Sequence, residues 1–130
     1  MKCVDIRKGV IKLSDDLVIY PRYSFELFKN SKYFSGQNAI RQIILDGEFT
    51  FRNRRYKVVL CFSDGIIQLL ELVCIDEEFT WETEPLRKVL HDQILTEWGL
   101  AEYNKFEWGE IYSNFDEKGG SSSILFNYQL

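Results

Sequence analysis

The stretch of residues 42–75 constrains the fold more than any other part of this sequence. It divides into QIILDGEFTF, RNRR, YKVVLCF, SDG and IIQLLELVCI, so β-favouring runs alternate with short turn-forming segments. Ile, Val, Phe and Tyr pack well on a pleated surface, and Ser-Asp-Gly supplies the positive φ of a tight hairpin turn. The stretch therefore predicts a meander of three antiparallel strands, on which the rest of the chain packs.

Further strands are predicted on both sides of this meander. Residues 10–13 and 17–20 flank a Ser-Asp-Asp turn and predict a short hairpin. Near the C-terminus, residues 106–112 alternate like a strand, and residues 123–129 repeat the pattern after a Gly-rich turn. The last strand is expected to be held in the sheet.

Two other stretches predict helices. Ser24 is a side-chain cap for a short helix over residues 25–32, and Thr83 followed by Pro85 marks the start of a longer one. Gly99 is suited to end that second helix. Apolar side chains of the longer helix recur at helical spacing and predict one buried stripe, namely Leu86, Val89, Leu90, Ile94 and Trp98.

This order of elements is typical of an α+β fold. The 130 residues are enough for a single domain with one hydrophobic core. We expect a mainly antiparallel sheet of about five to seven strands, built from a hairpin, a helix, the three-strand meander, a long helix and a two-strand hairpin. Both helices are expected on one face of that sheet, and the pattern leaves open which face it is.

The charges are distributed unevenly along the chain. Residues 1–60 hold 12 Lys and Arg against 6 Asp and Glu, whereas residues 61–130 hold 4 against 14. The acidic half also contains large aromatic side chains, which often anchor protein interfaces. It is either ordinary solubilising charge or a surface for a basic protein, and the candidate partner-binding residues are Asp76, Glu77, Glu78, Trp81, Glu82, Glu84, Tyr103, Glu107, Trp108, Glu110 and Tyr112.

The basic turn of residues 52–55, with Lys57 beside it, has three readings. It is a solvated hairpin tip, a contact for nucleic acid with Tyr56 as a stacking platform, or a contact for an acidic surface, either of a partner or of this protein's own acidic half in a dimer. The sequence pI of about 5.1 disfavours nucleic acid, so no nucleic-acid partner is predicted.

Catalytic and metal-binding motifs are missing from the sequence. There is no phosphate-binding loop, nucleophile elbow, zinc-binding motif or Cys-x-x-Cys pair, and the one histidine, His91, falls in the longer helix. Glu110 beside Trp108 and Tyr112 is either part of a solvated strand face or an acid of raised pKa in a cryptic enzyme. We predict a non-enzymatic protein without cofactor or metal.

The sequence also gives expectations about the cellular compartment. Cys3, Cys61 and Cys74 are odd in number and widely spaced, which disfavours a disulfide framework. There is no apolar run near the roughly 20 residues that span a bilayer, and the charged N-terminal segment lacks the apolar core of a signal peptide. We expect a cytoplasmic protein that does not insert into a membrane.

Two resemblances suggest a function. The tail EWGEIYSNFDEKGGSSSILFNY is similar to a strand–turn–strand module of small bacterial proteins, and the chain as a whole resembles the immunity proteins of contact-dependent and polymorphic toxin systems. That resemblance implies tight binding of a cognate basic toxin by a monomer or homodimer. The order of elements is also similar to type III secretion chaperones, which implies a dimeric interaction domain as the alternative. Those chaperones end in a further helix, whereas this chain is predicted to end in a strand.

Overall fold

A computed structural model of the chain describes residues 5–129. Within that range, an α+β fold confirms the predicted class. A short 3₁₀ helix at Ile6–Lys8 comes first, followed by β1 (Ile11–Ser14), β2 (Leu17–Ile19), α1 (Phe25–Phe28), β3 (Ile43–Ile44), β4 (Phe49–Phe51), β5 (Arg54–Ser63), β6 (Ile66–Cys74), α2 (Glu84–Glu97), β7 (Tyr103–Phe106), β8 (Gly109–Asp116) and β9 (Ser121–Tyr128).

Seven of the strands form one antiparallel sheet. Their order is β3-β5-β6-β9-β8-β7. The seventh strand, β4, pairs with β5 along the same edge as β3. The last strand, β9, lies between β6 and β8 in the middle of the sheet, which confirms that the C-terminal segment is held there. The first hairpin does not join this sheet, because β1 and β2 pair only with each other.

The predicted meander is present with one change. Its first strand is divided into β3 and β4, which both pair with β5 through Ile43 opposite Leu60 and Phe49 opposite Tyr56. Gly47 lies in the break between them with φ of 83°. A residue with a side chain is strained in that conformation, so the glycine permits the break.

The prediction of a single strand over residues 106–112 is wrong. The chain turns at Glu107 and Trp108, so that β7 ends at Phe106 and β8 begins at Gly109. Gly109 has φ of 150°, and a Cβ atom at this position would lie 2.0 Å from the carbonyl oxygen of Asn127. Only glycine lets β8 pass this close to β9, and Trp108 consequently does not share a strand face with Glu110.

All covering elements lie on one face of the sheet, as predicted. In α2, the Trp98 ring lies 6.4 Å from that of Phe126, and in α1 the Phe28 ring lies 6.1 Å from that of Phe62. The N-terminal segment adds a hydrogen bond of 2.8 Å from the Tyr128 hydroxyl to the carbonyl of Gly9. We call this the covered face, and its buried side chains are Tyr56, Val58, Leu60, Phe62, Ile67, Leu70, Leu72, Cys74, Ile111, Ile124, Phe126 and Tyr128.

Both helices differ in detail from their predictions. In α1, Ser24 is the cap as predicted, since its hydroxyl accepts a hydrogen bond of 3.1 Å from the Leu27 amide, but the helix ends earlier. In α2, the predicted stripe is wrong at two positions, because Leu86 is 57% exposed and Val89 59% exposed. The side chains that face the sheet are instead Leu90, His91, Ile94, Leu95 and Trp98.

Candidate functional site

Four predicted site residues form an exposed group between β6 and α2. Glu77, Glu78, Trp81 and Glu82 are all exposed, and 81% of the Trp81 side chain is accessible. Among residues 5–129, none of the three carboxylates forms an ion pair. Hydrogen bonds between Thr80 and Thr83, including one of 2.8 Å from the Thr80 amide, fix the turn that presents them. We call these four residues the acidic shoulder.

Two other predicted acidic residues already have partners inside the domain. Asp76 accepts a hydrogen bond of 3.1 Å from the Arg55 amide and lies 3.5 Å from the Arg54 guanidinium. Glu84 is buried, accepts hydrogen bonds of 3.1 and 2.7 Å from the amide and hydroxyl of Ser122, and pairs with Arg87 at 3.0 Å. Asp76 joins the segment after β6 to β5, and Glu84 joins α2 to β9, so both carboxylates have a structural role.

The remaining predicted residues lie elsewhere and do not act as one group. No described hydrogen bond, ion pair or ring contact links them to the acidic shoulder. Trp108 packs inward, donating a hydrogen bond of 2.8 Å to the carbonyl of Arg7, with its ring 5.1 Å from that of Tyr128. Glu107 is exposed at the β7–β8 turn. Glu110 accepts hydrogen bonds from the side-chain amides of neighbouring strand residues, and Tyr103 and Tyr112 lie with their rings 5.7 Å apart.

The basic turn is largely neutralised by the domain itself. Arg54 donates hydrogen bonds of 3.0 and 2.7 Å to the two carboxylate oxygens of Glu97, which raises the pKa of the guanidinium and lowers that of the carboxylate. Arg55 contacts Glu48 at 3.2 Å. The guanidinium of Arg52 lies 5.2 Å from the centre of the Phe51 ring. This pairing supports the interpretation of the turn as a structural tip.

The chain's histidine is part of the interior. His91 is fully buried, and its Nε2 atom accepts a hydrogen bond of 3.1 Å from the Cys74 amide. Burial lowers the pKa of His91 to about 4, so the ring is neutral at pH 7. Over residues 5–129, no three His, Cys, Asp or Glu side chains cluster in a way that fits a metal ion.

The second face of the sheet was not singled out by the sequence. No described element packs on it, and one register row crosses six strands from β3 to β7. We call this the open face, and the row consists of Ile44, Val59, Glu71, Leu125, Tyr112 and Tyr103. On either side of the row lie Lys57, Cys61, Leu69, Val73, Asn127, Glu110 and Lys105.

Sequence reasoning missed two sets of exposed apolar side chains. Leu86 and Val89 lie on the outer side of α2, and Ile44, 65% exposed, and Tyr103, 55% exposed, lie at opposite ends of the open face. For α2, the residue that sets the rotation of the helix is Glu84, because its side chain points inward and is hydrogen-bonded to Ser122. For the open face, the alternation of side chains along β5 and β6 was visible in the sequence. Both alternating sets are mostly apolar, so the pattern did not show that one face of the sheet stays uncovered.

Comparisons with known proteins identify no relative. No protein-family model matches this chain, and neither a curated protein nor a solved structure matches it. In the part of the chain that the structure describes, no helix has the length and apolar character needed to cross a bilayer.

Proposed function

We propose that this chain is a non-enzymatic immunity protein that neutralises a cognate basic toxin in the bacterial cytoplasm. The observation that carries the proposal is the acidic shoulder, in which three exposed carboxylates flank the exposed Trp81 in the chain and form no ion pair within the described residues. The other acidic residues of this region, Asp76 and Glu84, are held by internal contacts, so the shoulder is the part left to meet a partner.

Electrostatics and the aromatic ring have separate roles in this proposal. Unpaired surface carboxylates attract a basic protein over a distance and raise the association rate, mostly at low salt. A large ring such as that of Trp81 contributes to the lifetime of the complex by filling a pocket on the partner. Leu86 and Val89, one turn apart on the outer side of α2, follow the shoulder in the chain and extend the apolar contact.

The positions of the perturbed groups favour binding over catalysis. His91, with its pKa lowered to about 4, is fully buried on the side of α2 that faces the sheet. Tyr56 and Tyr128 have raised pKa values because they are buried on the covered face. An enzyme usually places such groups in an accessible cleft, where they meet a substrate.

The first test uses the reading frame next to this gene. That frame is expressed alone and together with this chain, and growth and co-purification are recorded. The proposal expects a neighbour that stops growth alone, is harmless in co-expression and co-purifies with this protein. A neighbour that stops growth equally in both strains would refute the immunity function for this pair.

The second test examines the acidic shoulder with that partner. Charge reversal by Glu77→Lys, Glu78→Lys and Glu82→Lys is expected to slow association about 10- to 100-fold at low salt, with a smaller effect at high salt. Glu26→Lys, Asp46→Lys and Glu117→Lys is the matched control, because these exposed carboxylates lie outside the candidate partner-binding residues and change the net charge equally. If both triple variants slow association to the same extent, the shoulder has no specific role.

A dimeric interaction domain is the alternative, and the exposed apolar side chains at the two ends of the open face support it. Ile44 and Tyr103 are exposed at the ends of the row and provide apolar area that a second copy would bury, whereas Leu125 in its middle is already buried within the domain. Light scattering on the isolated protein distinguishes the two functions. A stable homodimer without partner supports the alternative, whereas a monomer is expected for 1:1 binding of a toxin.

A further inference from the structure

Glu71 is a charged residue in the middle of the open face, between apolar neighbours. It lies in the central row between Val59 on β5 and Leu125 on β9, and its side chain is half-buried. Within residues 5–129 no Lys or Arg pairs with it. The cation in the neighbouring row, Lys57, donates its hydrogen bond of 2.8 Å to the carbonyl of Gly47 instead.

The free protein therefore holds a poorly compensated carboxylate. Burial raises the pKa of Glu71, and a hydrogen bond with the Ser123 side chain offsets this only in part. The charge also contributes to the raised pKa values of Cys61 and Tyr112 on the same face. A half-buried charge beside apolar side chains such as those of Val59 and Leu125 is unfavourable unless it is fully paired, and one hydroxyl bond does not replace a cation.

We propose that the open face is a second docking surface, for an apolar patch of a partner protein that brings an arginine or lysine side chain to Glu71. The apolar row around Glu71 would exclude water, which strengthens such an ion pair. The row crosses six strands and is about 24 Å wide at the spacing of a sheet, enough for one partner element to lie across it. This surface is separate from the acidic shoulder, and the inference stands whether or not the partner is a toxin.

A second copy of the chain satisfies Glu71 less well than a basic partner does. A twofold contact through this row would bury two Glu71 carboxylates in one interface, which doubles the cost of removing charge from water. Lys105, a cation of the open face that forms no ion pair within residues 5–129, lies on β7 at the edge of the sheet, three strands away from β6. Charge complementarity therefore favours a different, basic protein.

The test uses N-butylguanidinium as the probe, because it combines an arginine head group with an apolar chain. Its uncharged counterpart, N-butylurea, is the matched control compound. We expect butylguanidinium to shift the amide NMR signals of Val59, Glu71 and Leu125 with a Kd in the millimolar range, as is usual for such small ligands. Butylurea should shift these signals at least about threefold less, since it lacks the charge.

Two variants determine whether Glu71 is responsible. Glu71→Gln should abolish the preference for butylguanidinium, while Glu110→Gln, on the same face but already bonded to Asn127, should retain it. Equal shifts from both compounds, or an unchanged preference in Glu71→Gln, would overturn the proposal. So would sedimentation equilibrium that finds a dimer weakened by Tyr112→Ala, because the face would then belong to a second copy.

Discussion

The two faces of the sheet are built by the same strands and differ in what their side chains contact. On β6, Leu70 is fully buried under the covering elements, while the adjacent Leu69 points to the open face and remains partly exposed. On the covered face, the carboxylate of Glu84 accepts a hydrogen bond of 2.7 Å from the hydroxyl of Ser122 and pairs with Arg87. On the open face, Glu71 is hydrogen-bonded to the Ser123 side chain but forms no ion pair within residues 5–129. One face accounts for stability, and the other is the surface that we propose for binding.

The largest expected effect comes from replacing a leucine on each face of the sheet with alanine. Leu70→Ala should lower the free energy of unfolding by about 3–5 kcal/mol, because it leaves a cavity in a filled core. Leu69→Ala, the same change one residue earlier, should cost about 1 kcal/mol or less, since its side chain already contacts water. Urea denaturation of both variants measures the difference. Equal losses would mean that the open face is covered in solution.

The second prediction concerns the loss of stability in acid. It depends on His91, a residue of α2 whose side chain is buried against the sheet. The pKa of His91 is about 4 in the folded protein and about 6.5 when unfolded, so unfolding takes up a proton between these values. This contribution to stability is complete above pH 6.5 and is lost as the pH falls through 4, by roughly 3 kcal/mol. Urea denaturation at several pH values measures the slope. His91→Gln, which removes the titrating group, should show a shallower decline over this range, and an identical decline would contradict the assignment.

The third prediction tests the anchor that fixes the rotation of α2. Glu84→Ala removes the acceptor of two hydrogen bonds from Ser122 and leaves Arg87 without its carboxylate, so stability should fall by about 2–3 kcal/mol. Glu82→Ala is the control and should stay within about 0.5 kcal/mol, because its side chain is exposed. Thermal melts compare the two. Similar melting temperatures for both variants would remove the structural role of Glu84.

The smallest effect, opposite in sign, is expected at the centre of the open face. Glu71→Gln should stabilise the free protein, because burial raises the pKa of Glu71 and makes its ionised form unfavourable when folded. The folded state then prefers the protonated carboxyl, so the gain from Gln should be absent at low pH and grow as the pH rises above about 4.3. Melting temperatures at pH 4 and pH 7 measure this trend. A variant less stable than the parent at pH 7 would mean that Glu71 is well compensated.

The sequence predicted the elements better than their orientation. Turn chemistry located the β5–β6 hairpin and the start of α2, because those signals depend on neighbouring residues. The rotation of α2 depends on Ser122 and Cys74, which are distant in sequence from Glu84 and His91, so counting apolar residues on the helix placed Leu86 and Val89 inside. Periodicity along one helix does not contain that information.

The candidate site was predictable only in its exposed part. The cluster of acidic residues marked Glu77, Glu78 and Glu82, and these are indeed exposed. Whether an acidic residue has a partner depends on folding, which brings Arg54 and Arg55 beside Asp76 from a segment about twenty residues earlier. The two β7–β8 tyrosines belong to another surface, because the turn at Glu107 places them in the open row.

The edges of the sheet have a consequence for how this protein behaves at high concentration. One edge is made of β3 and β4, of two and three residues, and the other of β7, of four residues. Fibre growth needs long, regular strands whose free amides and carbonyls act as templates, and these edges present few of them. Lys105 adds a charge to the β7 edge. The domain thus carries an uncovered apolar face without the strand edges from which cross-β polymers extend.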